Sequence, residues 1–147
     1  MARKVFFSFQ YDDVLRAMNV RNSNVINANP KVGFIDKAEF EKLERTGDST
    51  VKAWIDAQLI GTTVTVVLIG ANTDKSKWVK YEIEKSIKRG NGLLTIDISK
   101  IPDFNKQTSD FCGMKIQGYK HYRWNTDNGR ENLGVWVEEA AKAAGKP

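Results

Sequence analysis

The chain has 147 residues, 41% of them hydrophobic, with one cysteine, one histidine and a net charge of +5. This length suits one domain with a real core, and no run approaches the ~20 apolar residues of a membrane span. One cysteine excludes an intramolecular disulfide and a multi-cysteine metal site, and one histidine excludes any histidine pair and most metal constellations.

The positive charge is scattered. Lys75, Lys77, Lys80, Lys85, Lys88 and Arg89 share a stretch with Asp74, Glu82 and Glu84. A solvated face is the default reading of such a mixture, and nucleic acid is a minor option as partner. Met1 to Phe7 lacks the apolar length and small-residue cleavage site of a signal peptide, so the expected setting is cytoplasmic. Cys112 reads as a small core residue. His121 reads as a surface or strand residue, since no serine or carboxylate motif pairs with it.

Lys4-Val5-Phe6-Phe7-Ser8-Phe9 is apolar and β-prone, and reads as a first strand, central in its sheet. Gln10-Tyr11-Asp12-Asp13 follows as a loop. Asp12 or Asp13 is positioned to cap a helix from about Val14 to Val20, with Val14, Leu15 and Met18 inward and Arg16 on the other face. Val25-Ile26 reads as short strand or loop, Asn27 to Pro30 as a turn, and Gly33 to Asp36 as a weak edge strand. Lys37 to Leu43 has helical character. Asp48 or Ser49 caps a further helix to about Leu59, with Val51, Trp54, Ile55 and Leu59 buried and Gly61 ending it.

Thr63 to Gly70 is a β-branched run the length of one buried strand. A helix begins near Ser76, with Val79, Ile83 and Ile87 as its apolar stripe. Gly90-Asn91-Gly92 stops it. Leu93 to Ile98 is another strand. Ser99 to Gly118 is a polar, irregular connection long enough to suggest a function of its own. Tyr119 to Trp124 is a short last strand, Asn125 to Gly129 a turn, and Glu131 to Ala144 a helix with Leu133, Val137, Ala140 and Ala144 inward. Strands alternating with helices imply one α/β domain over residues 1–147. The expected architecture is flavodoxin-like, a four- to five-stranded parallel sheet with helices on both faces and a crevice at the carboxyl ends of the first strand and the 63–70 strand.

A Gly-rich dinucleotide fingerprint, a Walker loop and a nucleophile elbow are all absent. The 63–70 strand ends in Gly70-Ala71-Asn72, which removes the aspartate a phospho-receiver needs. Polar residues remain at two strand ends: Ser8, Gln10, Tyr11, Asp12 and Asp13 after the first, and Asn72, Thr73 and Asp74 after the other. Glu82 follows one to two turns into the next helix. It lies four residues after Trp78, so both project on one side. A carboxylate beside an aromatic wall can grip a sugar diol and stabilise an oxocarbenium-like state. On spacing alone the plainer reading holds, with Glu82 a surface residue pairing with Lys85 or Ser86 and Trp78 in the core.

Four separated blocks carry a family resemblance. They are Val5-Phe6-Phe7-Ser8-Phe9, then Val20-Arg21-Asn22, then Val64 to Gly70, then Trp78-Val79-Lys80-Tyr81-Glu82-Ile83 with Lys85-Ser86-Ile87. Together they resemble the Toll/interleukin-1 receptor (TIR)-like proteins of bacterial Thoeris antiphage systems, the ThsB family. Gln10 departs from the histidine expected there in some relatives.

The resemblance implies an enzyme that cleaves NAD, releases nicotinamide and forms a cyclic ADP-ribose isomer after phage infection. It implies Glu82 as the catalytic carboxylate, with Ser8, Phe9, Gln10, Tyr11, Asp12 and Trp78 around the substrate. Arg21 and Asn22 match the family and are candidates for substrate contact or for holding loops. NAD is the substrate, and no metal or further cofactor is expected. The implied partner is an effector protein reached through a diffusible cyclic nucleotide. A homo-oligomer is left open, and so is a non-catalytic TIR interaction module or nucleotide-binding scaffold.

Overall fold

The computed structural model describes residues 3–22 and 37–147. Its strands are β1 (Val5–Phe9), β2 (Val64–Ile69), β3 (Gly92–Asp97) and β4 (Lys120–Arg123). All pair in parallel, in the order β1-β2-β3-β4. The helices are α1 (Val14–Arg21), α2 (Lys37–Thr46), α3 (Asp48–Leu59), α4 (Lys77–Lys88) and α5 (Gly129–Ala143). Short 3-10 turns, Tyr11–Asp13 and Thr73–Lys75, lead into α1 and α4.

Strand alternation sorts the core into two layers. Val5, Phe7, Val64, Val66, Leu68, Leu94 and Ile96 point to one face, where Ala17 and Val20 of α1 and Leu133, Trp136, Val137 and Ala141 of α5 cover them. On the other face Phe6 meets Phe40 of α2, Val51, Ile55 and Leu59 of α3, and Trp78 of α4. Farther along that face Val67, Ile69 and Leu93 pack on Val79, with Phe111, Cys112, Met114 and Ile116 of the Ser99–Gly118 connection against them. Full burial of such a side chain stabilises by about 1.5–3 kcal/mol, so two covered faces suffice for a chain of this size. This is the expected α/β architecture, a parallel sheet with helices on both faces. Among the described residues no helix is long and apolar enough to cross a membrane.

Several local expectations are corrected. Among the described residues β1 is paired on one side only, with β2, and its expected central place turns on residues outside them. The expected elements at Val25-Ile26, Asn27–Pro30 and Gly33–Asp36 lie outside the described residues. In α1, Leu15 is 51% exposed while Arg16 is buried with Ala17 and Val20. The N-cap of α1 is Asp13, one of the two expected, but its side chain makes no capping bond; Gln10 caps the preceding 3-10 turn, its Oε1 accepting the Asp12 N–H at 2.6 Å. The α3 N-cap is Gly47, at φ 121°, rather than Asp48 or Ser49; Trp54 is half-buried, its ring edge-on to Phe40. The buried stripe of α4 is Trp78, Val79, Glu82 and Ser86; Ile83 is half-buried and Ile87 is 44% exposed. In α5, Trp136 and Ala141 are buried, whereas Ala144, the C-cap just past its end, is exposed.

The corrected orientation of α1 has a clear cause. The Arg16 guanidinium bonds Asp13 Oδ1 at 3.0 Å, the Ile101 carbonyl at 2.8 Å and the Gln107 carbonyl at 3.0 Å. A buried cation is tolerated when its donors are met in this way. The same contacts tie the Ser99–Gly118 connection to the start of α1. Gly70, just past β2, lies so close to Asp13 that a β-carbon there would overlap the carboxyl group. The connection also borders β4, where His121 Nδ1 bonds Thr95 Oγ1 at 2.7 Å and its ring lies against Phe111.

Candidate active site

A cavity of about 300 Å³ opens at the carboxyl ends of β1 and β2, where open parallel sheets bind ligands. Phe9, Gln10, Tyr11 and Asp12 form one side. Asn72, Lys75, Ser76 and Lys77 form the rim after β2, and Trp78 and Glu82 come from α4. Phe40, Glu41 and Glu44 of α2 close the remaining side.

Ser76 explains how α4 enters the site. Its hydroxyl accepts the Val79 N–H at 3.2 Å and caps the helix, a bond typically worth about 1 kcal/mol. Six residues on, Glu82 is 7% exposed, and Ser8 Oγ donates to its Oε1 at 2.6 Å. Burial pushes the Glu82 carboxyl up to about 8, and the Ser8 bond partly counters this by favouring the ionised form. In the empty site at neutral pH the group is therefore largely protonated. A cationic ligand would draw it toward the carboxylate.

The walls are aromatic. Tyr11 stacks on Phe40 at 4.5 Å between ring centroids, and Phe9 lies 5.2 Å from Tyr11. Burial, helped by the nearby Glu82 charge, drives the Tyr11 phenol far above its ordinary range, so it stays neutral. Trp78 is held by its indole N–H, which donates to Glu44 Oε2 at 3.1 Å, and by Lys77 Nζ 4.7 Å from the ring centroid. Lys77 also pairs with Asp48 at 3.1 Å, drawing the starts of α3 and α4 together.

Of the residues singled out from the sequence, Phe9, Gln10, Tyr11, Asp12, Trp78 and Glu82 line this cavity, and Ser8 supports Glu82 from behind. Arg21 and Asn22 do not line it. They close the far end of α1, where Arg21 Nε donates to Asn22 Oδ1 at 3.4 Å; the helix's 8 residues put that end about 12 Å from its start. Sequence reasoning missed Phe40 and Glu44. Their signal was the helical spacing of Phe40, Leu43 and Glu44, which places an aromatic and a carboxylate on one face of α2.

Residues 6–103 match the family model described as the TIR-like domain of the Thoeris protein ThsB. The chain belongs to this family. The ThsB-family assignment agrees with a relative from Bacillus cereus (strain MSX-D12) named "Putative cyclic ADP-D-ribose synthase ThsB1". The two are 36% identical over 145 residues, covering 93% of this chain and 72% of the relative. Within the ThsB-family match fall β1 from Phe6 onward, β2, α4 and every cavity-lining residue named above.

The Ser8 bond gives a direct test of the electrostatics. Ser8→Ala removes a donor that favours ionised Glu82, so the Glu82 titration midpoint should rise above the wild-type value near 8. Carbon-13 NMR of labelled glutamate carboxyls reads this, and a midpoint that stayed or fell would refute the role given to Ser8.

Proposed function

We propose that this chain is an NAD-cleaving enzyme that forms a cyclic ADP-ribose isomer, a diffusible signal for a separate effector protein in antiphage defence. The observation that carries the reading is Glu82, a carboxyl group buried in a cavity with aromatic walls and oriented by one hydroxyl. The family membership and the name of the relative support it.

The chemistry asks little of the protein beyond placement and charge. The bond between the ribose anomeric carbon and the pyridinium nitrogen breaks, and nicotinamide leaves as a neutral molecule with the bonding electron pair. The ribosyl carbon becomes oxocarbenium-like. Glu82, ionised by the cationic substrate, accepts bonds from the ribose hydroxyls and stabilises the developing charge. Ser8 holds the carboxylate in place. Trp78, Tyr11 and Phe9 offer flat surfaces for the nicotinamide ring and exclude water. A nucleophile elsewhere on the same molecule then attacks the anomeric carbon, and any proton it carries passes to solvent. Water in its place would give linear ADP-ribose. NAD is the substrate here and no further cofactor enters.

Incubation of the purified chain with NAD tests this. Nicotinamide release, with mass spectrometry showing a product of the mass of cyclic ADP-ribose, is the expected result. Absence of release both from the purified chain and in lysate of phage-challenged cells would overturn the catalytic reading in favour of a non-catalytic interaction module.

A further inference from the structure

Two consecutive turns of α4 present polar side chains to the sheet. Glu82 and Ser86 are both buried, and each meets a hydroxyl beneath the helix, Ser8 of β1 for Glu82 and Thr65 of β2 for Ser86. A buried hydroxyl pair contributes little net stability and is costly if one partner is lost, so apolar residues would cover this face more safely. Yet the apolar Ile87, the next residue, is turned outward.

The bonds have a defined direction. Ser86 Oγ donates to the Glu82 carbonyl at 2.7 Å. A hydroxyl carries one proton, so the 2.7 Å contact between Ser86 and Thr65 is donated by Thr65. Thr65 Oγ1 in turn accepts from Asn91 Nδ2 at 3.4 Å, and the same nitrogen donates to Thr62 Oγ1 at 3.0 Å. Donors therefore run in one sense, from Asn91 through Thr65 and Ser86 to the backbone of Glu82. Glu82 is thus held at two points, its carboxyl group by β1 and its carbonyl, through Ser86, by β2. Apolar contacts such as that of Val79 are non-directional and leave a helix free to turn or slide by small amounts; hydrogen bonds with defined angles do not.

We infer that Thr65 and Ser86 are positioning residues that set the rotation and depth of Glu82 in the cavity. This rests on the reading of Glu82 as the reacting carboxylate. Neither residue lines the cavity, so their influence on the reaction passes through Glu82.

The double variant Thr65→Val/Ser86→Ala is the test. It removes both hydroxyls together, leaving neither unpaired, while Asn91 keeps Thr62. Its melting temperature should stay near that of wild type. The kcat for nicotinamide release should fall about tenfold with KM little changed, because misplacement by a fraction of an ångström acts on the chemical step. The Glu82 midpoint in carboxyl carbon-13 NMR should move by about half a pH unit or more. Thr65→Ser keeps the donor and should retain kcat within about twofold. A folded double variant with wild-type kcat and an unmoved midpoint overturns the inference. Should the double variant fail to fold, Thr65→Val alone gives the same two readings. Should wild type release no nicotinamide, the catalytic reading is what fails, and the titration midpoint by itself decides whether the tether controls Glu82.

Discussion

We expect Glu82→Gln to lower kcat for nicotinamide release at least about a hundredfold, the usual loss when one preorganised electrostatic group is removed from a reacting centre. Glutamine keeps the shape and can still meet Ser8, but it cannot carry the negative charge that opposes the ribosyl cation in the proposed reaction. The pH profile should agree. Free-enzyme activity, read as kcat/KM, should rise with pH through a midpoint near 8, where Glu82 ionises in the empty cavity. If NAD is the substrate, as proposed, the midpoint for kcat should lie lower, since a bound pyridinium cation favours the carboxylate.

The charged groups lining the same cavity are Asp12, Glu41 and Glu44 against Lys75 and Lys77. Stability should run the other way from activity. Glu82 titrates near 4.5 when unfolded and near 8 when folded. The fold therefore loses stability as pH rises between those values, by an amount on the order of 5 kcal/mol at full ionisation. The glutamine variant escapes this loss. Its melting temperature at pH 9 should exceed that of wild type, while the two nearly coincide at pH 4. Undiminished turnover in the variant would remove Glu82 from the reaction, and parallel melting curves at both pH values would refute its burial as a charge.

The largest loss of stability is expected from Arg16→Met. Methionine keeps the length of the side chain but abandons Asp13, Ile101 and Gln107 at once. Breaking a buried ion pair from one side costs about 3–5 kcal/mol, because the remaining charge is stranded. For a chain of this size that lowers the melting temperature by roughly ten degrees. Burial already raises the Asp13 carboxyl, with the Arg16 bond and charge holding it back. Without Arg16 its folded-state pKa climbs further, so the penalty is largest at neutral pH. It shrinks as pH falls through the raised folded-state pKa toward the unfolded value near 3.9, below which Asp13 is neutral in both states. Thermal unfolding of both proteins from pH 7 to pH 4 measures this. Adding Asp13→Asn should recover part of the loss, and a variant within about 1 kcal/mol of wild type at pH 7 would show the clamp to be ornamental.

These two residues also mark where the sequence was legible and where it was not. The strands were legible because β-branched runs such as Val64 to Ile69 have the length and chemistry of buried strands. The start of α4 was legible because Ser76 is a local cap for the Val79 N–H. The pairing of Trp78 with Glu82 followed from helical spacing, and the cavity lies at the strand ends where parallel sheets keep their sites. The rotation of α1 and α4 was not legible. Arg16 and Ser86 belong outside by polarity, and Leu15 and Ile87 inside. The partners that reverse this order come from Ile101, Gln107 and Thr65, distant in the chain, and periodicity holds no record of them. For α2 the shared face of Phe40 and Glu44 was legible in the helical spacing, but its partners were not. Nothing local tells Phe40 that it will stack on Tyr11 or Glu44 that it will hold an indole.

The strand register carries a consequence for the order in which the site comes together. Val64 pairs with Gly92 across a connection that holds α4, whereas Val5 pairs with Val64 across a stretch roughly twice as long. Closing the longer loop costs more chain entropy, and such distant pairings slow folding. The unit from β2 through α4 to β3 is thus the more local nucleus, and Glu82 resides in it. Ser8 and the aromatic wall of Phe9 and Tyr11 arrive only when β1 docks. Until then the carboxylate faces water with an ordinary affinity for protons. Its unusually strong hold on a proton is a property acquired at the last long-range closure, and a nascent or partly unfolded chain carries the residue without the site.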